Sequence, residues 1–264
     1  MSDTMSILSL KKLFRFPFEA PGWQSRFLVG TVLILANYVI PIVPAIFVAG
    51  YALRVMRQTL AGQDPELPAW DDWGQLTKDG LRAMLVTLVY TLPGLLVFVG
   101  GMAIYFFGNL GLPLATSTSS NPDEMMAALP AIVLGSMAIL FASMLIGMLL
   151  SLLGAIAMPA ATAHFVAQEE VMAAFRVRQW WRILWADKLG YFISWVVIAG
   201  LFGVLYSGVM LAYYTIILCC LIPILTAPLS LYLLLVGSAL FGETYRESAT
   251  NLLNREQEEV VDTA

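Results

Sequence analysis

Between Glu124 and Glu169 the chain runs for 44 residues without an Asp, Glu, Lys or Arg, and residues 189–242 make a second such run of 54. Two further uncharged runs lie between Arg26 and Arg54 and between Arg82 and Asp123. A water-soluble fold has nowhere to hide stretches of this kind. A membrane-spanning helix needs them, because it takes about 20 apolar residues to cross the hydrocarbon layer. The sequence therefore predicts an all-α integral membrane protein. Composition agrees: 59% of residues are hydrophobic and only 12% charged, against roughly a quarter charged in globular domains.

At bilayer scale the runs divide into five spans, 27–53, 83–107, 129–163, 191–211 and 216–241, within a membrane domain over 27–242. Residues 1–26 read as an interfacial segment, and 243–264 as an acidic tail. That tail holds Glu243, Glu247, Glu256, Glu258, Glu259 and Asp262 against Arg246 and Arg255. The last long run must break in two, since 54 helical residues would far exceed the bilayer, and Tyr213, Tyr214 and Thr215 are placed at the turn. The stretch 109–122, rich in Gly, Pro, Ser, Thr and Asn, reads as an exposed loop. The first apolar run is too long for a signal-peptide core and is expected to be retained. It is also interrupted by Asn37, Pro41 and Pro44, because proline removes a backbone donor and clashes with the preceding turn. It therefore either crosses or dips in and returns.

Basic residues set the expected orientation. The 14 Lys and Arg fall before the first span, in 54–82, in 164–190 and in the tail, with none in the other two connections. Basic loops favour the cytoplasmic side, so loops 54–82 and 164–190 and the C-terminus are expected there. A re-entrant first run would place all 14 on that face.

Two connecting segments look amphipathic. One sets Trp70, Trp73 and Leu76 on a helical stripe opposite Asp71, Asp72 and Asp79. The other sets Val177, Trp181 and Trp185 opposite Arg178 and Arg182, with Arg176 beside them. Helices of this type lie in the headgroup layer, Trp rings inward and basic groups toward lipid phosphate. The lipid bilayer, with its anionic lipids, is thus the expected partner of these residues. The two units resemble degenerate copies: Phe47-Val-Ala-Gly and Phe165-Val-Ala-Gln each precede a Trp-bearing segment, then Lys78-Asp-Gly-Leu81 or Asp187-Lys-Leu-Gly190.

Chemistry is harder to find. No ionisable residue lies inside the spans, where such groups are costly and mark ion or proton pathways. The single histidine, His164, stands at a span end. Asp64, Asp71, Asp72 and Asp79 match no metal motif, and hydrolase, zinc-protease and phosphate-loop patterns are missing. Cys219 and Cys220, adjacent in an apolar run, read as packing residues. We expect no catalytic residue, no cofactor and no metal, and so few basic residues argue against nucleic acid as a partner. Small residues instead recur every four positions: Ser143, Gly147, Ser151 and Ala155 on the third span, Ala199, Gly203 and Ser207 on the fourth. Such rows let helix backbones approach closely in lipid, whether within one chain, in a homo-oligomer or against another membrane protein.

The stretch Gly50-Tyr-Ala-Leu-Arg-Val-Met-Arg57, with Leu67-Pro-Ala-Trp70-Asp-Asp-Trp73, Asp79-Gly80-Leu, Tyr90-Thr-Leu-Pro93 and Phe241-Gly-Glu-Thr-Tyr-Arg246, resembles a prokaryotic polytopic membrane family known as a domain of unknown function, number 4013. The resemblance spans about residues 15–247. It implies a prokaryotic cytoplasmic membrane and carries no activity or site residue with it. Two function classes stand at this stage: a non-enzymatic scaffold, assembly factor or accessory subunit, and a transporter or lipid-handling protein.

Overall fold

The computed structural model describes residues 7–118, 121–213 and 221–262. Among these are eight α-helices and no strand: α1 (Ile7–Arg15), α2 (Trp23–Ala36), α3 (Val43–Leu60), α4 (Trp73–Thr118), α5 (Pro122–Gln168), α6 (Val177–Ala186), α7 (Lys188–Tyr213) and α8 (Ile222–Asp262). Four of them, α4, α5, α7 and α8, are long and apolar enough to cross a membrane. Residues Tyr214, Thr215, Cys219 and Cys220 lie outside the described residues. The chain forms two compact units, one of residues 1–86 with 159–264, the other of residues 87–158.

In the first unit α8 is the post against which α1, α2, α3, α6 and α7 pack. Val48, Tyr51 and Val55, at helical spacing on α3, meet Leu231, Leu235, Val236, Ala239 and Leu240 of α8, with Leu13, Phe16, Leu67 and Leu76 closing the cluster. At α3's crossing with the base of α4 the backbones nearly touch. A methyl at Gly50 would run into the carbonyl of Leu76, and one at Gly80 into that of Ile46.

The first apolar run is the broken one. It is split into α2 and α3 by residues 37–42, and its two ends lie together. The Arg26 guanidinium, at the start of α2, donates to the Leu67 carbonyl, and the Arg26 carbonyl accepts from Trp70 Nε1 at 2.7 Å. Trp70 stacks on Tyr51 of α3, ring centroids 4.0 Å apart and 6° from parallel, and Tyr51 Oη donates to the Pro68 carbonyl at 2.8 Å. The run therefore folds back on itself as a helical hairpin with its two ends together. Its apex reaches Tyr38, whose Oη is 3.2 Å from Thr226 Oγ1 of α8, while Thr59 at the hairpin's exit meets Gly242. From 226 to 242 an α-helix rises about 24 Å, so the turn lies far along the apolar part of α8 from the hairpin's two ends.

Backbone donors at such depth must find partners within the protein. The N–H groups of residues 37–40 bond back to carbonyls of residues 33–36, Pro41 and Pro44 have no N–H to satisfy, and Val43 donates to the Pro41 carbonyl at 3.0 Å. Ile42, held at φ +78°, has no backbone acceptor in reach and donates to Asn37 Oδ1 at 3.0 Å. Asn37 thus completes the turn.

Two other expectations are corrected. The Trp70–Leu81 stretch is no separate interfacial helix: Trp70 is held in the preceding loop by Tyr51 and Arg26, and Trp73 opens α4, which continues unbroken for 46 residues. The stretch 109–122 is mostly helical, α4 ending at Thr118 and Pro122 beginning α5, a first-turn position where a missing N–H costs nothing. Asn109, a turn former by composition, instead donates to the Tyr105 carbonyl and to Ser136 Oγ at 2.7 and 3.0 Å. The acidic tail is helical, continuing α8 as far as Asp262.

Cysteines placed at Ser25 and Gln63, with Cys219 and Cys220 replaced, should both react with a membrane-impermeant thiol reagent from one side only; reaction from opposite sides would overturn the hairpin. Asn37→Leu, which strands the Ile42 N–H, should cost about 1–3 kcal/mol and lower the melting temperature in nanodiscs, whereas Thr91→Val on α4, where the hydroxyl only back-bonds to Thr87, should change little.

Candidate functional site on the basic face

Every described ion pair lies in the first unit, at the end where the basic loops meet. The most buried is built on Asp79, fully enclosed in α4's second turn. Its carboxylate faces Arg57 of α3 at 3.3 Å and Arg82 at 3.7 Å, and accepts from Gln75 Nε2 at 3.1 Å. The close crossing at Gly50 and Gly80 drives this acid between two arginines. Arg57 also reaches toward Glu169, just beyond α5, at 3.8 Å. One carboxylate therefore gathers α3, α4 and the exit of α5.

The other acids considered as metal ligands are taken up in the same way. Asp64 pairs with Lys12 at 2.5 Å and Asp71 with Arg54 at 2.7 Å. Asp72 Oδ1 accepts from the Gln75 N–H at 3.1 Å, capping α4. Asp187 does the same for Gly190 at the start of α7. Asp72 and Asp187 thus play the same local part at the starts of α4 and α7. Among the described residues no three His, Cys, Asp or Glu side chains come together as a metal site.

His164 is enclosed at the end of α5, its Nδ1 2.5 Å from Tyr245 Oη of α8 and its Nε2 3.3 Å from Gln179 Oε1 of α6. It pins α6 against α8. Trp180 is buried beside it and donates to the Ala174 carbonyl at 3.0 Å, which leaves the opposite stripe of α6 facing out. Trp181 and Trp185 are 48% and 47% exposed, their rings 5.7 Å apart, with the Lys188 ammonium 4.1 Å from the Trp185 ring centre. Two of the three arginines beside them are engaged: Arg176 with Glu170 and Arg182 with Glu256 of α8, each at 2.8 Å. Arg255 also donates to the Ala186 carbonyl at 3.1 Å. Arg178 is exposed, with no ion pair among the described residues. Of the first Trp pair, Trp70 is half-buried in the loop stack, and Trp73, exposed, meets Phe47 edge to face at 5.1 Å.

The two small-residue rows have different fates. In the second unit, Ser143, Gly147 and Ser151 of α5 face Gly101, Phe98 and Gly94 of α4, and Gly154 abuts the Tyr90 carbonyl. Ala155 lies off this seam and is exposed. On α7 the row Ala199, Gly203 and Ser207 is exposed, and a methyl added to Gly203 would meet nothing within 4 Å. That row makes no contact seam among the described residues. α7 packs instead through Tyr191, Ser194 and Ile198, with Ser194 Oγ 2.7 Å from Thr244 Oγ1 and Ile198 against Gly237. Beyond Leu201 the two helices part around an open apolar groove of about 400 Å³, lined by Leu205, Gly208, Ala212, Leu225 and Leu229 among others.

Neither the Asp79 nor the His164 cluster was visible as a site in the sequence. His164 and Tyr245 are 81 residues apart, and the only local hint was a charged residue, Asp79, next to a glycine on an otherwise apolar helix face.

An all-α membrane protein with a helical hairpin and a basic end tied together by ion pairs is the class these features define. The chain belongs to the family described as a protein of unknown function, DUF4013, whose model matches residues 33–213. No curated protein and no solved structure matches it.

Asp79→Asn should destabilise the protein by about 1–3 kcal/mol, less than the loss for a fully enclosed pair because Arg57 and Arg82 can turn to water. Asp71→Asn, at a carboxylate 73% exposed, should stay within about 0.5 kcal/mol. Thermal unfolding of both variants in the same nanodisc checks the ranking.

Proposed function

We propose that this chain is a non-enzymatic scaffold or accessory subunit of a prokaryotic cytoplasmic membrane, with loops 54–82 and 164–190 and the C-terminus on the cytoplasmic side. The observation that carries this reading is how the polar groups within the apolar segments are used. Thr91 bonds the Thr87 carbonyl, Ser194 bonds Thr244, Thr226 bonds the Ile222 carbonyl and Asn37 caps Ile42. Each is satisfied locally or, for Ser194 and Thr244, between two helices, and none converges with others on an enclosed polar cavity among the described residues. A solute or ion pathway would need such convergence.

The outward stripe of α6 is the working surface in this reading. Trp181 and Trp185 seat in the headgroup layer, while Arg178 and Lys188 supply charge for lipid phosphate or for an acidic partner. The engagement of Arg176 and Arg182 by Glu170 and Glu256 leaves this face only weakly cationic, which favours anchoring over strong selection of anionic lipid. The open groove between α7 and α8 favours a second reading, in which the protein holds lipid chains.

Purification in native lipid separates the two. A scaffold should bring down a stoichiometric membrane or cytoplasmic protein that Trp181→Ala/Trp185→Ala releases while the fold persists. Lipid alone, in amounts reduced by Gly208→Leu in the groove, would replace the scaffold reading with the lipid-handling one.

A further inference from the structure

A small polar pocket of about 80 Å³ opens on the basic end of the first unit, lined by Lys12 of α1, Thr59 of α3, Gly62, Gln63, Asp64 and Glu243 and Arg246 of α8. Its depth is set by the chain. Glu243 is the first ionisable residue after the uncharged run that ends at Gly242. α1 lies alongside with Leu13 and Phe16 buried and Lys11 and Lys12 exposed, as an interfacial helix does. The pocket therefore sits where hydrocarbon gives way to headgroups.

Its charges are arranged asymmetrically. Lys12 and Asp64 satisfy one another. Arg246, one helical turn from Glu243, does not turn back to it: its Nη1 donates to the Thr59 carbonyl at 3.3 Å and packs against Gly62, where a methyl would come within 3.0 Å of that nitrogen. Gly62 holds φ +73°, so the loop can lie this close only with glycine in place. Glu243 is left half-buried in the pocket wall, near enough to feel the charges of Arg246 and Lys12 but closing no ion pair or hydrogen bond with either. A carboxylate so placed calls for a cation, and a guanidinium one turn away with unused N–H donors calls for an anion. Residues one turn apart on a helix have Cβ atoms about 5–6 Å apart, so both side chains open onto the same pocket, as an ammonium and a phosphate joined by two carbons require.

We propose that this pocket binds the headgroup of phosphatidylethanolamine, its primary ammonium on Glu243 and its phosphate on Arg246 and the outer edge of Lys12. A primary ammonium has three N–H donors for the carboxylate. A choline headgroup has none, and its three methyl groups hold the charge away from the carboxylate.

The test is lipid retention by the intact protein, taken from nanodiscs holding equal phosphatidylethanolamine and phosphatidylcholine and counted by native mass spectrometry. Wild type should keep phosphatidylethanolamine over phosphatidylcholine by about tenfold, the size of one charge-assisted hydrogen bond. Glu243→Gln should bring the ratio near one, and Glu243→Asp, which keeps the charge, should retain part of the preference with an unchanged melting temperature. No preference in wild type, or a preference that survives Glu243→Gln, overturns the proposal. Soluble phosphoethanolamine is the second arm. If it stabilises wild type but not Glu243→Gln in phosphatidylcholine nanodiscs, while no lipid preference is seen, the lipid source is wrong.

Discussion

Everything in the first unit depends on one requirement: a chain that dips into hydrocarbon and returns must satisfy its backbone without water. An uninterrupted helix does this by itself. The run 27–53 cannot, because Pro41 and Pro44 lack the N–H donors that a continuous helix needs and clash with the turn before them. The structure resolves the conflict with two prolines that have no N–H to lose, a set of short back-bonds over residues 37–40, and a single side-chain acceptor, Asn37, for the one remaining donor at Ile42. Without that acceptor an unpaired N–H would face lipid. Because the run turns round, its entrance and exit share a loop, and the aromatic stack of Trp70 on Tyr51 becomes possible.

The same turn decides where charge goes. With the hairpin returning, Lys12, Arg26, Arg54 and Arg57 all arrive at one end of the unit, beside the basic residues of 176–188 and the start of the acidic extension of α8. Acids from other segments meet them there: Asp64 on Lys12, Asp79 on Arg57, Glu256 on Arg182. Exposed pairs of this kind contribute little each. Asp79 differs because it is enclosed and two arginines converge on it, so the crossing of α3 and α4 is fixed both by glycine contact and by charge.

Much of the fold was legible because apolar run length and loop charge are one-dimensional signals. The four span-length helices and the broken first run follow from counting. What sequence reading misjudged shares a cause. Trp70 carries the residue type and spacing of an interfacial helix, yet a ring 19 residues earlier and a carbonyl 44 residues earlier hold it in a loop. The Gly-, Ser- and Asn-rich stretch after 108 has the composition of a water-exposed turn, yet most of it is helix. Turn propensity reflects competition with water for backbone groups, and it loses force where every backbone group must bond internally. The partners of His164 and the enclosure of Asp79 are tertiary facts with no local pattern behind them.

The two small-residue rows show how far spacing can be trusted. Both have the four-residue period that lets backbones meet. On α5 the row is used: Gly94 of α4 would collide with Gly147 and Ser151 if it carried a methyl. On α7 it is not, because Ser194 and Ile198 are already committed to Thr244 and Gly237 on a neighbouring face, and one helix cannot turn both faces to the same partner. Period identifies a surface on which close approach is cheap. Which surface is occupied depends on where the polar and bulky residues of the opposing helix fall, and on α8 these are Thr244, Phe241 and Gly237, at the spacing that Ser194, Tyr191 and Ile198 match. A seam is therefore a property of two helices, and its location follows from the pair rather than from either row alone.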